Sequence, residues 1–389
     1  MAPPIHIKQK QTRVESCRLQ IFIVGAGLAS LGAASVLLAG HDVHVLESAH
    51  QVGEVGAGIQ VLPNSSRVLQ HWGLEDALTP YMTRPRVCNF IGWKGNLISS
   101  LDFHESEKQY PGTWYRDFHR ADLHRCLLDR ALELGAEFTC NARVVDVRVG
   151  VDEASATAVA ADGREWTGDL VIGADGVFGT LVEKLPEEML KDSELAGFVT
   201  DPQVNYWLGP DAHAVNYALR GGEKFNMVLL VPDDIPEDSL ASTVEGNVQE
   251  MCALFEGWDP RAGMAFEDGA VLGECLSRLP DSPSVTKTSP EYLQSKRHAL
   301  SVFEKCRKQR TKMVVDRGNV QQYLYHLHDG LEQKERDRKM QMVPTPEGEA
   351  LAWRDPGFAP TLLGYAHIAD VDLNWNVEDE SEEIAVSRL

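Results

Sequence analysis

Residues 21–47 read IFIVGAGLASLGAASVLLAGHDVHVLE. An apolar run, Ile21 to Val24, meets Gly25-Ala26-Gly27; a small-residue helix follows, and a second short strand, Val43 to Leu46, ends on Glu47. This is the order of a dinucleotide-binding βαβ start. Its glycines allow a tight turn and a close backbone approach to a pyrophosphate. The helix N-terminus offers unpaired N–H groups to those phosphates. An acid about 20 residues on accepts hydrogen bonds from a ribose hydroxyl, and Glu47 stands there. The third glycine of G-x-G-x-x-G is replaced by Ser30, small enough to keep helix–strand packing close. Residues 21–40 are also uncharged and about as long as a membrane span, with Lys8, Lys10, Arg13 and Arg18 before them. Gly25, Gly27, Gly32 and Gly40 fit a strand–turn–helix better, and a membrane helix leaves Glu47 unexplained.

The chain has 389 residues, with 37 Lys plus Arg against 58 Asp plus Glu and a formal net charge of −21. That balance argues against nucleic acid or an anionic membrane as partner, because both reward a basic surface. Seven scattered cysteines without a C-x-x-C pair fit a reduced, cytoplasmic chain and no metal site. His326 and His328 read as surface residues.

Further along, Gly53-Glu54-Val55-Gly56-Ala57-Gly58-Ile59-Gln60 is either a loop that lies flat on a ligand or an ordinary flexible one. Pro63-Asn64-Ser65-Ser66 starts a helix running to Gly73, and residues 82–118 look β-rich. A helix opening at Arg120 carries Leu123, Leu127, Ala131 and Leu134 at helical spacing and stops at Gly135. A cation at a helix N-terminus is opposed by the dipole, so Arg120 either faces an anionic ligand or is solvated and offset by Asp122. Strands near 143–149 and 155–161 precede Asp169 to Gly176, an apolar strand running into a glycine turn that bears Asp175. Such strand ends are where α/β sheets bind ligands. Residues 203–231 alternate as a β-meander, with His213, Val215, Tyr217 and Leu219 on one face. Tyr217 either points into a pocket or packs in the core. A helix over 265–279, a long charged helical region over 289–330 with a solvated basic cluster at Lys305–Lys312, and a loosely held tail complete the chain.

Together the segments GAGLASLGAA, HVLE, EVGAGIQVLPNSSRVL, HRADLHRCLL, DLVIGADGV, QVNYWLGPDAHAVNYALRGG and FEDGAVLGECLSRL resemble the flavin-dependent aromatic hydroxylases, the salicylate hydroxylase-like class, and among them fungal enzymes of secondary metabolism. The resemblance covers most of residues 20–330. It implies an α/β fold: a Rossmann-like FAD-binding domain, an antiparallel-sheet substrate domain and a C-terminal helical region. The expected boundaries are a disordered 1–17; an FAD-binding domain over 18–190 with 82–118 lent to the substrate domain; a substrate sheet over 191–250; a return to the FAD domain over 255–330; and a tail over 331–389. By resemblance Gly25, Gly27, Glu47, Gly58, Gln60, Arg120, Asp175 and Ala262 bind the cofactor and Tyr217 is catalytic, near the substrate. The implied reaction uses NAD(P)H to reduce FAD and O₂ to hydroxylate a small aromatic, phenolic substrate.

Two departures from the family stand out. Its third flavin motif, G-D-A-A-H-P with a later Q-G, belongs shortly before 262–279, yet Phe255–Arg261 joins almost directly to Ala262–Gly269. The only Gly-Asp pair is Gly168-Asp169, part of another motif. Likewise Gly176–Gly179 runs quickly into Glu187–Asp192, where the family has a strand that often bears an arginine. Family sequence stands intact on both sides of each gap, the pattern of skipped exons. A non-catalytic or impaired member of the family is therefore one alternative, and an NAD-dependent dehydrogenase is another.

Overall fold

The structure, a computed structural model, describes residues 7–53, 58–150, 154–174, 203–209, 212–219, 224–230 and 267–375. Its centre is a four-stranded parallel sheet in the order Leu170–Gly173, Gln20–Val24, Asp42–Leu46, Glu137–Thr139. Ile21, Ile23, Val43 and Val45 are buried on it, as expected where helices cover a parallel sheet. Between the first two strands the chain forms a helix, Leu28–Ala33, and a 3₁₀ turn, Ala34–Leu37. The helices Arg120–Glu133 and Glu267–Ser277 pack against this crossover.

A second sheet of five strands runs Lys224–Leu230, Ala212–Leu219, Gln203–Gly209, Val87–Gly92, Leu97–Asp102. Its pairs are antiparallel except Gln203–Gly209 with Val87–Gly92, which are parallel. Strands of the 82–118 segment and of the meander thus share one sheet. A two-stranded link, Gly58–Val61 against Arg116–His119, lies between the two sheets in the chain path, and Arg116–His119 packs against Ala212–Leu219. The expected strands near 143–149 and 155–161 are Val144–Val149 and Ala156–Ala160, paired in a small three-stranded sheet.

The ends of the chain differ from expectation. Residues 7–17, read as disordered, form a strap. Arg13 is buried and donates to the carbonyls of Ala39, Leu276, Ser277, Leu279 and Pro280, which ties the crossover to the C-terminal end of helix Glu267–Ser277. Leu276 and Ser277 end the helix, where carbonyls lack intrahelical partners, and one guanidinium gathers them with the carbonyls that follow. The tail, read as loose, contains helices Ala359–Leu363 and His367–Trp375 with Leu362, Leu363 and Val371 in the core. The long helix Pro290–Tyr325 holds them: Arg310, counted in a solvated cluster, is buried over the Tyr365 ring and donates to Thr361 and Leu362 carbonyls. Polar sequence hid both packings, because long cations bury their stems while their heads find backbone acceptors.

Candidate active site

The glycine turn is built as its sequence implies. Gly25 has φ +97°, a left-handed conformation that costs a glycine little, and its N–H donates to the Leu46 carbonyl at 2.7 Å. A Cβ placed on Gly27 would meet nothing within 4 Å, so open space lies over the turn. Glu47 folds back on the loop: Oε2 accepts from the Ala26 N–H at 2.7 Å, and Oε1 accepts from the Ala49 N–H at 2.7 Å and the Ser48 hydroxyl at 3.1 Å. A carboxylate offers about four lone-pair sites, so one remains for a further donor such as a ribose hydroxyl. Ser30, the departure from the third glycine, is buried, and its hydroxyl donates to the Ala174 carbonyl at 2.8 Å. It pins the helix to the end of the strand that leads into Asp175.

The helix that opens at Arg120 is joined to this turn, with His124 Nε2 2.6 Å from the Ala26 carbonyl. Arg120 is half-buried at its first position, after His119 as N-cap. Asp122 is buried, 3.3 Å from Arg125 and 3.8 Å from His119. Gly25, Gly27 and Glu47 therefore share one helix–turn, and the helix that opens at Arg120 is joined to it through His124. Gly58 and Gln60 lie apart, on the linking strand. Gly58 pairs with His119, and Gln60 turns inward, its Nε2 donating to Asp117 Oδ1 at 3.0 Å. Asp175, Ala262 and Gly56 lie outside the described residues.

Asp117 is a residue the sequence reading missed. It is 1% exposed, and burial pushes its carboxyl up to about 8 against the smaller opposing pulls of Gln60 and Arg116. Oδ2 has no hydrogen-bond partner. Tyr217 is fully buried on the neighbouring strand; its hydroxyl is also without a partner, and burial first, then Asp117, hold it well above the usual phenol range. The signal available in sequence was the alternation Tyr115, Asp117, His119, which sets a charge at an inward position of a strand.

His213 shares the buried face with Val215 and Tyr217. Its Nδ1 is 2.7 Å from His326 Nε2, and burial, with His326, lowers it to about 3. His326 is thus not a simple surface residue: the end of the long helix lays it and Tyr325 over the substrate sheet. Among the described residues no group of three or more His, Cys, Asp or Glu side chains is placed to hold a metal ion, and no helix is long and apolar enough to cross a membrane.

The FAD binding domain family matches residues 18–238. The FAD-dependent monooxygenase OpS4 of Beauveria bassiana (strain ARSEF 2860) is 31% identical over 430 positions, which cover 91% of this chain and 96% of the relative. The 3-hydroxybenzoate 6-hydroxylase of Polaromonas naphthalenivorans (strain CJ2) is 32% identical over 259 residues, 63% of this chain and 64% of its own. The crystal structure of native FqzB superposes with a TM-score of 0.71 at 17% identity, covering 95% of this chain and 94% of that one. The chain belongs to the FAD-binding domain family and is an enzyme of the FAD-dependent monooxygenase type; the alternative of an NAD-dependent dehydrogenase falls away. The alignment with the Beauveria relative runs over 430 positions against 389 residues here, so at least 41 positions have no residue in this chain.

Proposed function

We propose that the chain hydroxylates a small phenolic or aromatic-acid substrate, of the polyketide-derived kind, using FAD, NAD(P)H and O₂. The observation that carries this reading is the glycine turn closed by Glu47, with open space over Gly27, in a chain whose second sheet buries Tyr217. The names of the relatives, a monooxygenase and a hydroxybenzoate hydroxylase, support it. In this reading Glu47 takes a ribose hydroxyl, the turn and Arg120 take the pyrophosphate, and Asp175 and Ala262 join the cofactor site. FAD, when bound, supplies the redox and oxygen-activating chemistry. The protein holds the ring, excludes water and polarises the phenol, whose ordinary pKa is near 10. Inside the cell the scattered thiols stay reduced; the six cysteines among the described residues are free.

The test is flavin content of the purified chain, followed by NAD(P)H oxidation across a panel of phenols and benzoates. One FAD per chain with substrate-stimulated oxidation and hydroxylated product supports the reading. A folded protein that takes up FAD yet never couples it to product overturns it.

A second reading has its own observation. At least 41 positions of a near-full-length relative are unmatched, and the flavin motif with Gly-Asp is absent where the family carries it. An impaired member of the family, retaining FAD weakly, accounts for both. A folded chain that holds little FAD even when FAD is added favours this reading over the first.

A further inference from the structure

The middle residue of the glycine turn is gripped at both ends by side chains from other elements. The helix that follows, Leu28–Ala33, opens with the Leu31 N–H donating to the Gly27 carbonyl at 3.0 Å. The Ala26 carbonyl stands one residue earlier and takes no bond from that helix. Ala26 is 5% exposed, so an unmet carbonyl there would be costly. His124 Nε2 meets it at 2.6 Å. A carbonyl only accepts, so Nε2 carries the proton and donates it. His124 is itself buried, on helix Arg120–Glu133, 98 positions along the chain. On the other side of the residue, the Ala26 N–H donates to Glu47 Oε2 at 2.7 Å.

This grip sets the direction of a neighbouring donor. A trans peptide unit is planar, with its C=O and N–H pointing opposite ways. The Ala26–Gly27 bond is trans. With the Ala26 carbonyl turned to His124, the Gly27 N–H faces the other side of the unit. A Cβ on Gly27 would meet nothing within 4 Å, so space stands open at that residue. Glycine also lets this unit rotate easily, because no Cβ restricts its φ. The missing side chain that admits a phosphate would equally let the peptide turn over. A carbonyl would then meet the anion, where an N–H makes a charge-assisted bond to it.

We infer that His124 is a positioning residue of the cofactor site. By holding the Ala26 carbonyl it fixes the Ala26–Gly27 peptide with its N–H presented to the FAD pyrophosphate. Glu47 fixes the preceding peptide through the Ala26 N–H, so two successive units are locked by two side chains. This rests on the proposed reading that the turn takes the pyrophosphate, and it names the residue that orients the turn for it.

The test is FAD titration of the full chain, followed by quenching of flavin fluorescence well below the melting temperature of every variant. Amide exchange of the 25–31 segment is measured on the FAD-free protein. His124→Met removes the donor and keeps the length; FAD affinity should fall about thirtyfold, and exchange across the turn should quicken about tenfold. His124→Gln, whose amide can donate at the place of Nε2, should stay within about threefold and keep the slow exchange. Where the methionine variant fails to fold, His124→Asn, with its donor drawn back, carries the same expectation. Arg130→Met cuts the same helix's bond to the Trp72 carbonyl, so it should lower the melting temperature and leave FAD affinity unchanged. A loss in the methionine variant that glutamine rescues supports the inference. FAD bound by His124→Met as tightly as by the wild type overturns it. Equal losses in the methionine and glutamine variants, or a like loss in Arg130→Met, also overturn it, because they mark a packing role. Product analysis on the same samples keeps the two claims apart. FAD binding that depends on His124, with no hydroxylated product from any phenol or benzoate, sinks the hydroxylase reading alone. Product formed with FAD affinity indifferent to His124 sinks this inference alone, and a folded wild type that takes up no FAD overturns both.

Discussion

The nucleotide cradle and the substrate sheet treat their polar atoms in opposite ways. Around Gly25–Gly27 several polar side chains are already paired: Glu47 bonds the loop, Ser30 reaches Ala174, and His124 meets Ala26. At the substrate sheet and the linking strand packed on it, Tyr217 Oη and Asp117 Oδ2 are buried without partners among the described residues. A cradle for a tightly held cofactor gains by being stiff before binding. A pocket that must tell one substrate from another gains from groups that are costly until the right partner arrives. Polar truncation should therefore cost stability at the cradle, and cost substrate recognition at the sheet.

The sharpest break in that contrast is Gly27→Val. Its side chain would enter empty space, so the fold should keep its melting temperature while FAD affinity falls about a thousandfold, near 4 kcal/mol. Loss of melting temperature in step with FAD would mean that the space is not the cofactor's. Next is Arg13→Ala, which leaves five carbonyls behind the crossover without their buried donor. The urea midpoint should fall by the equivalent of about 3 kcal/mol. Glu47→Ala should cost both regions' currencies at the cradle: about tenfold in FAD affinity by titration, plus about 1 kcal/mol of stability from the exposed Ala26 and Ala49 N–H groups. Tyr217→Phe should do the reverse. Hydroxylation should slow by about tenfold with FAD affinity unchanged, and stability should hold or rise by about 1 kcal/mol, because an unpaired buried hydroxyl is removed. Equal losses in turnover and flavin binding would assign Tyr217 to the scaffold.

The smallest expected effect is in pH. Asp117, near 8, and Glu349, raised to about 7 mainly by burial, bind protons in the folded state that their unfolded carboxyls release. Their stabilisation is complete below about pH 4 and is lost as pH rises through 7 and 8. His41, His213 and His367, lowered to about 3 by burial, act in the other direction. Their contribution is present above about pH 6.5 and is lost as pH falls toward 3. Thermal melts across pH 4–9 should fall at both ends, and Asp117→Asn should flatten the alkaline side. An unchanged alkaline limb would mean that Asp117 ionises without cost.

Much of the cradle was legible because its contacts are local. A strand, a glycine turn and a helix in succession carry their own geometry, and Glu47 is reached by one crossover. The meander was legible for the same reason, since alternate residues of a strand share a face and put His213, Val215 and Tyr217 together. Ser30 was readable as small but not as a donor to Ala174, a partner 144 residues away. Residues 7–17 and 340–375 misled because their polarity resembles that of solvated chain, whereas Arg13 and Arg310 bury their stems against backbone carbonyls.

By itself, then, the sequence determined the parallel βαβ core, the flavin-family membership and the strand faces, all of which follow from short periods and neighbouring residues. Only the tertiary structure decided that Gln60 meets Asp117, and that the strand of Asp117 packs on the one that buries Tyr217. Periodicity can say that a carboxyl points inward. Whether it finds a partner there, and so whether it stays a charge or becomes an acid, depends on what the rest of the chain brings to meet it.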